Sequence, residues 1–282
     1  DNSLLSTVLV QTIQGVMKFG GKNIINNKVN NDVFLLDKNK RWNKISVDKM
    51  PSGRYGMDIS SFDNGKYILL YGGKNDKNQY QNDLWVFDVE NNKWYLIGDS
   101  KKIINFPKDV FLSSSSFIEN KGVIISFGSA DSLSNNIYII DIYILKQIIE
   151  EINTLKDLTN LYTNLIKVYS TNSKLVSRYG LTINQINDNE ILLFGGYDTI
   201  TKKVLDKCEI INIDKLSNFD KETIQNCVSK NSPGPRAFHS TISYGPVILL
   251  YGVEKSSKEF LGDIYKFLTS TKQWIKLSVT QD

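Results

Sequence analysis

The sequence predicts an all-β protein: a β-propeller of four-stranded antiparallel blades, five recognisable and a sixth left open, with one amphipathic helix inserted at about 143–161. Three observations predict it. A glycine closes an apolar run five times, at Gly20, Gly72, Gly128, Gly195 and Gly252, in steps of 52, 56, 67 and 57 residues. A tryptophan follows the first two of these at a fixed distance, Trp42 and Trp94 standing 52 residues apart. After each glycine and a polar loop comes a second strand-like stretch, such as Asp83-Leu84-Trp85-Val86-Phe87-Asp88. Self-similarity near 50 residues marks one small sheet copied along the chain, too thin to bury both faces until its neighbours stack against it.

Taken in order, the apolar runs lie at 14–19, 67–71, 123–127, 191–194 and 247–251. Their length and continuity suit strands covered on both faces. The alternating strands that follow lie at 31–37, 82–88, 136–141, 209–214 and 262–267, which sets the blades at about 1–49, 50–104, 105–172, 173–230 and 231–282 of one domain. One stretch leaves the β pattern. Ile144, Leu145, Ile148, Ile149, Ile152, Leu155, Leu158 and Leu161 recur at three and four, with Lys146, Glu150, Glu151, Lys156 and Asp157 between them. That period is helical and accounts for the 67-residue step. The helix either packs on its own propeller or docks another domain. A second insertion, 215–225, lengthens the fourth unit.

At this point the residues resemble the Kelch repeat: an Arg-containing turn, a strand ending in Gly-Gly, an Asp-led aromatic strand and a Trp about 20 residues after the double Gly. Pro51-Ser52-Gly53-Arg54-Tyr55-Gly56 through Gly72-Gly73, Asn82-Asp83-Leu84-Trp85 and Trp94 is the fullest copy. Pro235-Arg236-Ala237-Phe238-His239 through Asp263-Ile264-Tyr265 and Trp274 is nearly as full. Departures are Gly128-Ser129 and Gly252-Val253 for the double Gly, the lack of an Arg near Pro107-Lys108, and Ile166 and Ile224 at the Trp position. Kelch rings most often have six blades, so the resemblance implies either a five-bladed ring, a degenerate sixth blade, or a piece of a larger protein.

The resemblance also implies a function. The loops at one end of such propellers hold peptide or protein ligands, often through the motif arginines. Carried over where the motif survives, the partner-binding residues are Arg54, Arg178 and Arg236 with neighbours Tyr55, Tyr179 and Phe238, and Tyr197 after the fourth double Gly. Arginine forks onto carboxylate or phosphate, which points to an acidic or phosphorylated segment. The competing reading has each Arg bonding its own propeller's carbonyls or a neighbouring Asp. Under the first reading, replacing the three arginines by Ala removes partner capture and leaves the melting temperature nearly unchanged. The implied setting is a larger signalling or adaptor protein, a Ser/Thr phosphatase among them. The alternative function is a catalytic or small-ligand propeller working through carboxylates and tyrosines.

Composition narrows the choice. A formal net charge of +4 from 34 basic and 30 acidic residues gives no footprint for nucleic acid. No run approaches the roughly 18 apolar residues of a membrane span, and Asp1-Asn2-Ser3 reads directly into a strand without a targeting segment. The single histidine, His239, cannot supply a two-histidine copper site, and it stands where the repeat carries a structural His. No Asp-box repeat or phosphate-cradling loop occurs, so the chain is expected to be non-catalytic and to hold neither cofactor nor metal. Cys208 and Cys227 form no disulfide framework and are expected as buried reduced thiols. With no Asn-x-Ser/Thr acceptor in the chain, the expected compartment is the cytoplasm or the nucleus.

Overall fold

The computed structural model describes residues 4–126, 128, 135–154, 157–171, 174–220, 222–227, 231–252, 254–255 and 259–278. Residues 1–3, Phe127, Ser129, Leu155, Lys156 and Val253, on which parts of the sequence reading rest, lie outside these. The five repeats are five four-stranded antiparallel sheets in a propeller arrangement, each with its strands in sequence order. Blade 1 holds β1 (Val8–Thr12), β2 (Gly15–Phe19), β3 (Val33–Leu36) and β4 (Trp42–Ile45). Blade 2 holds β5 (Asp58–Phe62), β6 (Tyr67–Tyr71), β7 (Asp83–Asp88) and β8 (Lys93–Asp99). Blade 3 is β9 (Ser114–Ile118), β10 (Gly122–Ser126), β11 (Ile137–Ile140) and β12 (Ile166–Tyr169). Blade 4 is β13 (Thr182–Asn187), β14 (Glu190–Phe194), β15 (Cys208–Asn212) and β16 (Ile224–Asn226). Blade 5 is β17 (Ser240–Tyr244), β18 (Val247–Tyr251), β19 (Ile264–Leu268) and β20 (Gln273–Leu277).

The apolar runs are the second strands of the blades, and in blades 2, 3 and 4 they are apolar on both faces because each packs against two neighbouring blades. Met17, Phe19 and Val33 of blade 1 meet Ile68, Leu70, Phe87 and Trp94 of blade 2. Leu69, Tyr71 and Val86 on the other face of blade 2 meet Val123, Ile125 and Ile140 of blade 3. The motif Trp bridges a seam: Trp94 lies 5.3 Å, ring centre to ring centre, from Phe19, and Trp274 lies 5.1 Å from Phe194. Ile166 and Ile224 hold the same register, opposite Ile140 and Ile211 as Trp94 stands opposite Phe87.

The double Gly has a packing cause. Gly21, Gly73 and Gly196 each donate their N–H, at 2.9 Å, to a carbonyl in the loop that starts the next blade, that of Arg54, Val110 and Arg236 respectively. A Cβ on the preceding Gly20, Gly72 or Gly195 would lie 2.8, 2.8 or 2.4 Å from that same oxygen. Blades could not approach this closely with any side chain there.

Two expectations are corrected. The insertion is not one helix over 143–161 but two, α1 (Ile142–Glu151) and α2 (Thr159–Asn164). Asp141 caps α1 by accepting from the Tyr143 and Ile144 N–H groups, and Thr154 bonds back to the Glu151 carbonyl as the helix ends. The apolar face of α1, Ile142, Leu145, Ile148 and Ile149, is buried on blades 2 and 3, and Lys146 pairs with Asp63 at 2.7 Å. Secondly, Cys208 and Cys227 are not reduced thiols but a disulfide, with Cα atoms 5.2 Å apart. Glu209 faces Asn226 across β15 and β16, so one step further along the ladder Cys208 faces Cys227.

Candidate functional site

The loop that starts each inner strand reaches the mouth of the central channel through one residue in the left-handed region. These are Ser6 (φ 53°), Gly56 (62°), Leu112 (59°), Gly180 (64°) and Phe238 (58°). Three of the five carry a side chain, and Leu and Phe are seldom found there. Four of them, Gly56, Leu112, Gly180 and Phe238, are joined by a chain of backbone hydrogen bonds at the mouth. Leu112 N–H donates to Gly56 O at 2.8 Å, Gly180 N–H to Leu112 O at 3.0 Å, and Phe238 N–H to Gly180 O at 2.7 Å. Strain of this kind persists only where the surroundings over-determine it, and it gathers at ligand-gripping positions.

The three motif arginines lie beneath this ring, buried and ion-paired within their own blades. Arg54 donates through both terminal nitrogens to Asp83, at 2.7 and 3.0 Å, and to the Gly72 carbonyl at 3.2 Å. Arg236 repeats this on Asp263, at 2.9 and 3.4 Å, and on the Gly252 carbonyl at 3.0 Å. Arg178 pairs with Glu209. Burial alone would raise the Asp83 and Asp263 carboxyls, but the guanidiniums bonded to them outweigh it and hold both below the usual carboxylate range. Removing one partner of such a pair leaves a buried charge uncompensated and costs about 3–5 kcal/mol. Alanine at these sites is therefore a change to the fold as well as to any surface.

The aromatic neighbours are not fully buried: Phe238 is exposed and Tyr55, Tyr179 and Tyr197 are half-buried. Tyr179 lies 5.2 Å from Tyr197 and 5.9 Å from Phe238, ring centre to ring centre, forming one cluster over blades 4 and 5. Tyr55 meets Phe111 edge-on at 5.3 Å, forming a second cluster over blades 2 and 3. Lys22 Nζ sits 5.2 Å above the Tyr55 ring, and Lys74 Nζ is 5.0 Å from Phe111 and 4.2 Å from Tyr80. Neither lysine has an ion-pair partner among the described residues. Between the clusters the mouth opens into a cavity of about 210 Å³ lined by Met57, Leu112, Leu181, Phe238 and His239.

Sequence reasoning missed Phe111, Lys22 and Lys74, although the signal was present. Lys22 and Lys74 follow the double Gly as Tyr197 does, and Phe111 follows Val110 as Tyr55 follows Arg54.

Below the mouth the inner strands β1, β5, β9, β13 and β17 line a second, open cavity of about 480 Å³, walled by hydroxyls of Ser60, Ser114, Ser115 and Thr182 with Asp58 and Asn184. Ser113 donates to Asp58, Ser114 accepts from the Ile183 N–H, and Thr182 bonds His239 Nε2 at 2.9 Å. Burial, backed by Arg236 and Arg178, pushes the His239 imidazole down to about 3, so it is neutral. Among the described residues no group of three His, Cys, Asp or Glu is placed to hold a metal, and no helix is long and apolar enough to cross a membrane.

A family model described as the KLHDC2/KLHL20/DRC7 Kelch-repeats domain matches residues 6–160, more than half of the chain. An F-box/kelch-repeat protein of Arabidopsis thaliana is 27% identical over 80% of this chain and 45% of its own length. Adagio-like protein 1 of Oryza sativa subsp. japonica is 24% identical over 84% of this chain and 36% of its own length. A putative adagio-like protein 2 from the same rice is 24% identical over 88% and 39%. The chain thus spans less than half the length of these relatives. With the Arg–Asp pairs, the double-Gly contacts and the seam tryptophans all in the positions the repeat requires, the chain belongs to the Kelch-repeat family.

Proposed function

We propose that this propeller is a protein-interaction module that takes an acidic peptide segment across the mouth of its channel, as part of a larger adaptor or signalling protein. Kelch-repeat propellers are generally non-catalytic binding modules, which supports the class. The observation that carries the site is the joining of aromatic rings with ammonium groups that have no ion-pair partner among the described residues: Tyr55 and Phe111 with Lys22 and Lys74, continued by Tyr179, Tyr197 and Phe238. Aromatic rings supply rigid contact area, and the lysines supply the attraction for carboxylate or phosphate that the arginines, held by Asp83, Glu209 and Asp263, direct inward. In this reading Arg54, Arg178 and Arg236 are positioning residues. They hold the loops on which Tyr55, Tyr179 and Phe238 stand.

The test is binding of fluorescein-labelled acidic and basic peptides of matched length, each containing a tyrosine. Acidic peptides bind, salt weakens them, and the double change Lys22→Glu and Lys74→Glu lowers affinity about tenfold or more while the melting temperature holds. Phe238→Ser weakens acidic peptides as well. Equal binding of both peptide classes, or charge-reversed protein that binds as before, overturns the proposal.

A further inference from the structure

The channel below the mouth holds polar groups that an acidic peptide at the mouth does not use, and their charge has the opposite sense. Among the residues lining the cavity of about 480 Å³ there is no Lys, Arg or His and one carboxyl, that of Asp58. Asp83, Glu209 and Asp263 each hold a guanidinium. Asp58, at the head of β5, instead bonds neutral donors: the Ile59 N–H at 2.8 Å, Ser113 at 3.4 Å and Ser115. A buried carboxyl without a cation beside it works against folding, and such groups gather at functional sites.

Asn184, on β13, lines the same cavity and is 8% exposed. Its Nδ2 donates to Ser243 at 3.3 Å, while its Oδ1 has no partner among the described residues. A buried carbonyl oxygen in that state carries its full desolvation cost until a donor reaches it. Ser60 supplies a third acceptor. With Ser115 donating to Asp58, the 2.5 Å contact between Ser60 and Ser115 is donated by Ser60, whose own oxygen is left to accept.

The two ends of the channel differ as well. Each inner strand starts at the mouth, so the turn into its second strand lies at the opposite end, and three of these five turns carry a carboxylate: Asp63, Glu119 and Asp188. Asp63 is paired with Lys146, and the lysines of the same turns, Lys66 and Lys121, are taken up by Glu90 and Asp214. Glu119 and Asp188 are exposed. Lys22 and Lys74 stand at the other end, so a cation is drawn in from the side that an acidic peptide does not occupy.

We infer that the channel binds a small organic cation, an alkyl diamine or polyamine, with one ammonium on Asp58 and Ser60 and a further N–H group on Asn184 Oδ1. An ammonium donates three hydrogen bonds and accepts none, which matches a wall whose open valences are acceptors. Hard divalent metals take six or more oxygens, several of them charged, and among the described residues no group of three His, Cys, Asp or Glu gathers. An anion would face Asp58 with no basic group among the lining residues to offset it. Without a cation at hand, burial raises the Asp58 carboxyl to about 6, and an ammonium beside it favours the carboxylate and brings it down.

Titration calorimetry with putrescine tests this, with butanediol as its uncharged counterpart and succinate as its anionic one. Putrescine should bind and the other two should not. Its affinity should rise from about pH 5 to about pH 7.5, by up to tenfold per unit below the Asp58 pKa. His239, behind Thr182, stays neutral over that range, and Tyr71, opposite Asp58 on β6, is held far above it. Asp58→Asn should lower the affinity about tenfold or more and remove its pH dependence, whereas Lys22→Glu with Lys74→Glu should not weaken it. Should Asp58→Asn fail to fold, carboxyl-carbon NMR of the unsubstituted protein decides: saturating putrescine should lower the Asp58 midpoint by about one unit or more. Butanediol binding as tightly as putrescine, an Asp58→Asn protein that binds putrescine as before, or an Asp58 midpoint that putrescine leaves in place overturns the inference.

Discussion

Asp58 and His239 titrate in opposite senses at the channel wall. Burial raises the Asp58 carboxyl to about 6, with hydrogen bonds from Ser115, the Ile59 N–H and Ser113 offsetting part of the rise. The folded protein therefore prefers the neutral acid. That contribution to stability is complete below the unfolded pKa of about 3.9 and is lost as the pH rises through 6. His239 runs the other way: the unfolded chain takes its proton near 6.5 and the folded chain only near 3, so stability is lost as the pH falls from 6.5. Between roughly pH 4 and 6 the two slopes, each about 1.4 kcal/mol per pH unit, oppose one another. Asp58→Asn should accordingly stabilise the protein by about 2 kcal/mol at pH 7.5 and leave it unchanged at pH 4, as read by urea unfolding at both values. His239→Gln, which keeps a partner for Thr182, should remove the acid loss below pH 6.5. If Asp58→Asn destabilises equally at both pH values, folding does not shift the Asp58 carboxyl and the loss comes from its hydrogen bonds.

At the scale of the strand and helix, much was legible and the exceptions have local causes. The second strands of blades 2, 3 and 4 could be read because two-sided burial leaves little room for a polar residue to interrupt the run, and α1 because one helical face is buried. The break before α2 was hidden under a continuing three-and-four period. Apolar spacing reports a face and not whether the backbone turns; Asn153 and Thr154 are poor helix formers, and the Thr154 hydroxyl donates to the Glu151 carbonyl. The disulfide was illegible for another reason: a separation of 19 residues says nothing about facing positions until β15 and β16 pair. Closing a loop of that length restricts the unfolded chain by roughly 3 kcal/mol. Reduction with dithiothreitol, or Cys227→Ser, should lower the unfolding free energy by about 2–3 kcal/mol. A thiol titration in denaturant should find none before reduction and two after it. The Trp274 indole, which donates to Cys208 Sγ at 3.2 Å, gives the change an optical reporter. Two reactive thiols in the unreduced protein would refute the pairing.

For the whole molecule, the Kelch motifs carried the architecture because each motif residue acts between blades: Trp94 on Phe19, Gly73 on Val110, Gly196 on Arg236. The candidate site was only half legible. Tyr55, Tyr179, Tyr197 and Phe238 were named from the motif, but a sequence motif does not distinguish an Arg on the surface from one that holds its own blade, and the buried pairs with Asp83, Glu209 and Asp263 make that distinction here. The arrangement of seams also carries a dynamic consequence for the 282-residue chain itself. Blades 2, 3 and 4 are packed on both faces, while blades 1 and 5 each have one bare face, so cooperativity should fall off towards the ends as it does in a linear repeat array. Amide hydrogen exchange measures this directly, since local opening free energies range from near zero up to that of global unfolding. The amides of β6, β7, β10 and β14 should exchange slowest, and those of β3 and β18, equally apolar but covered on one side, at least tenfold faster. That ordering cannot come from composition, because the Val247–Tyr251 run VILLY is as strand-prone as the Tyr67–Tyr71 run YILLY. Uniform protection across all five blades would mean that the open seam costs the molecule nothing, and that the ring closes in solution by a contact other than those between its first four seams.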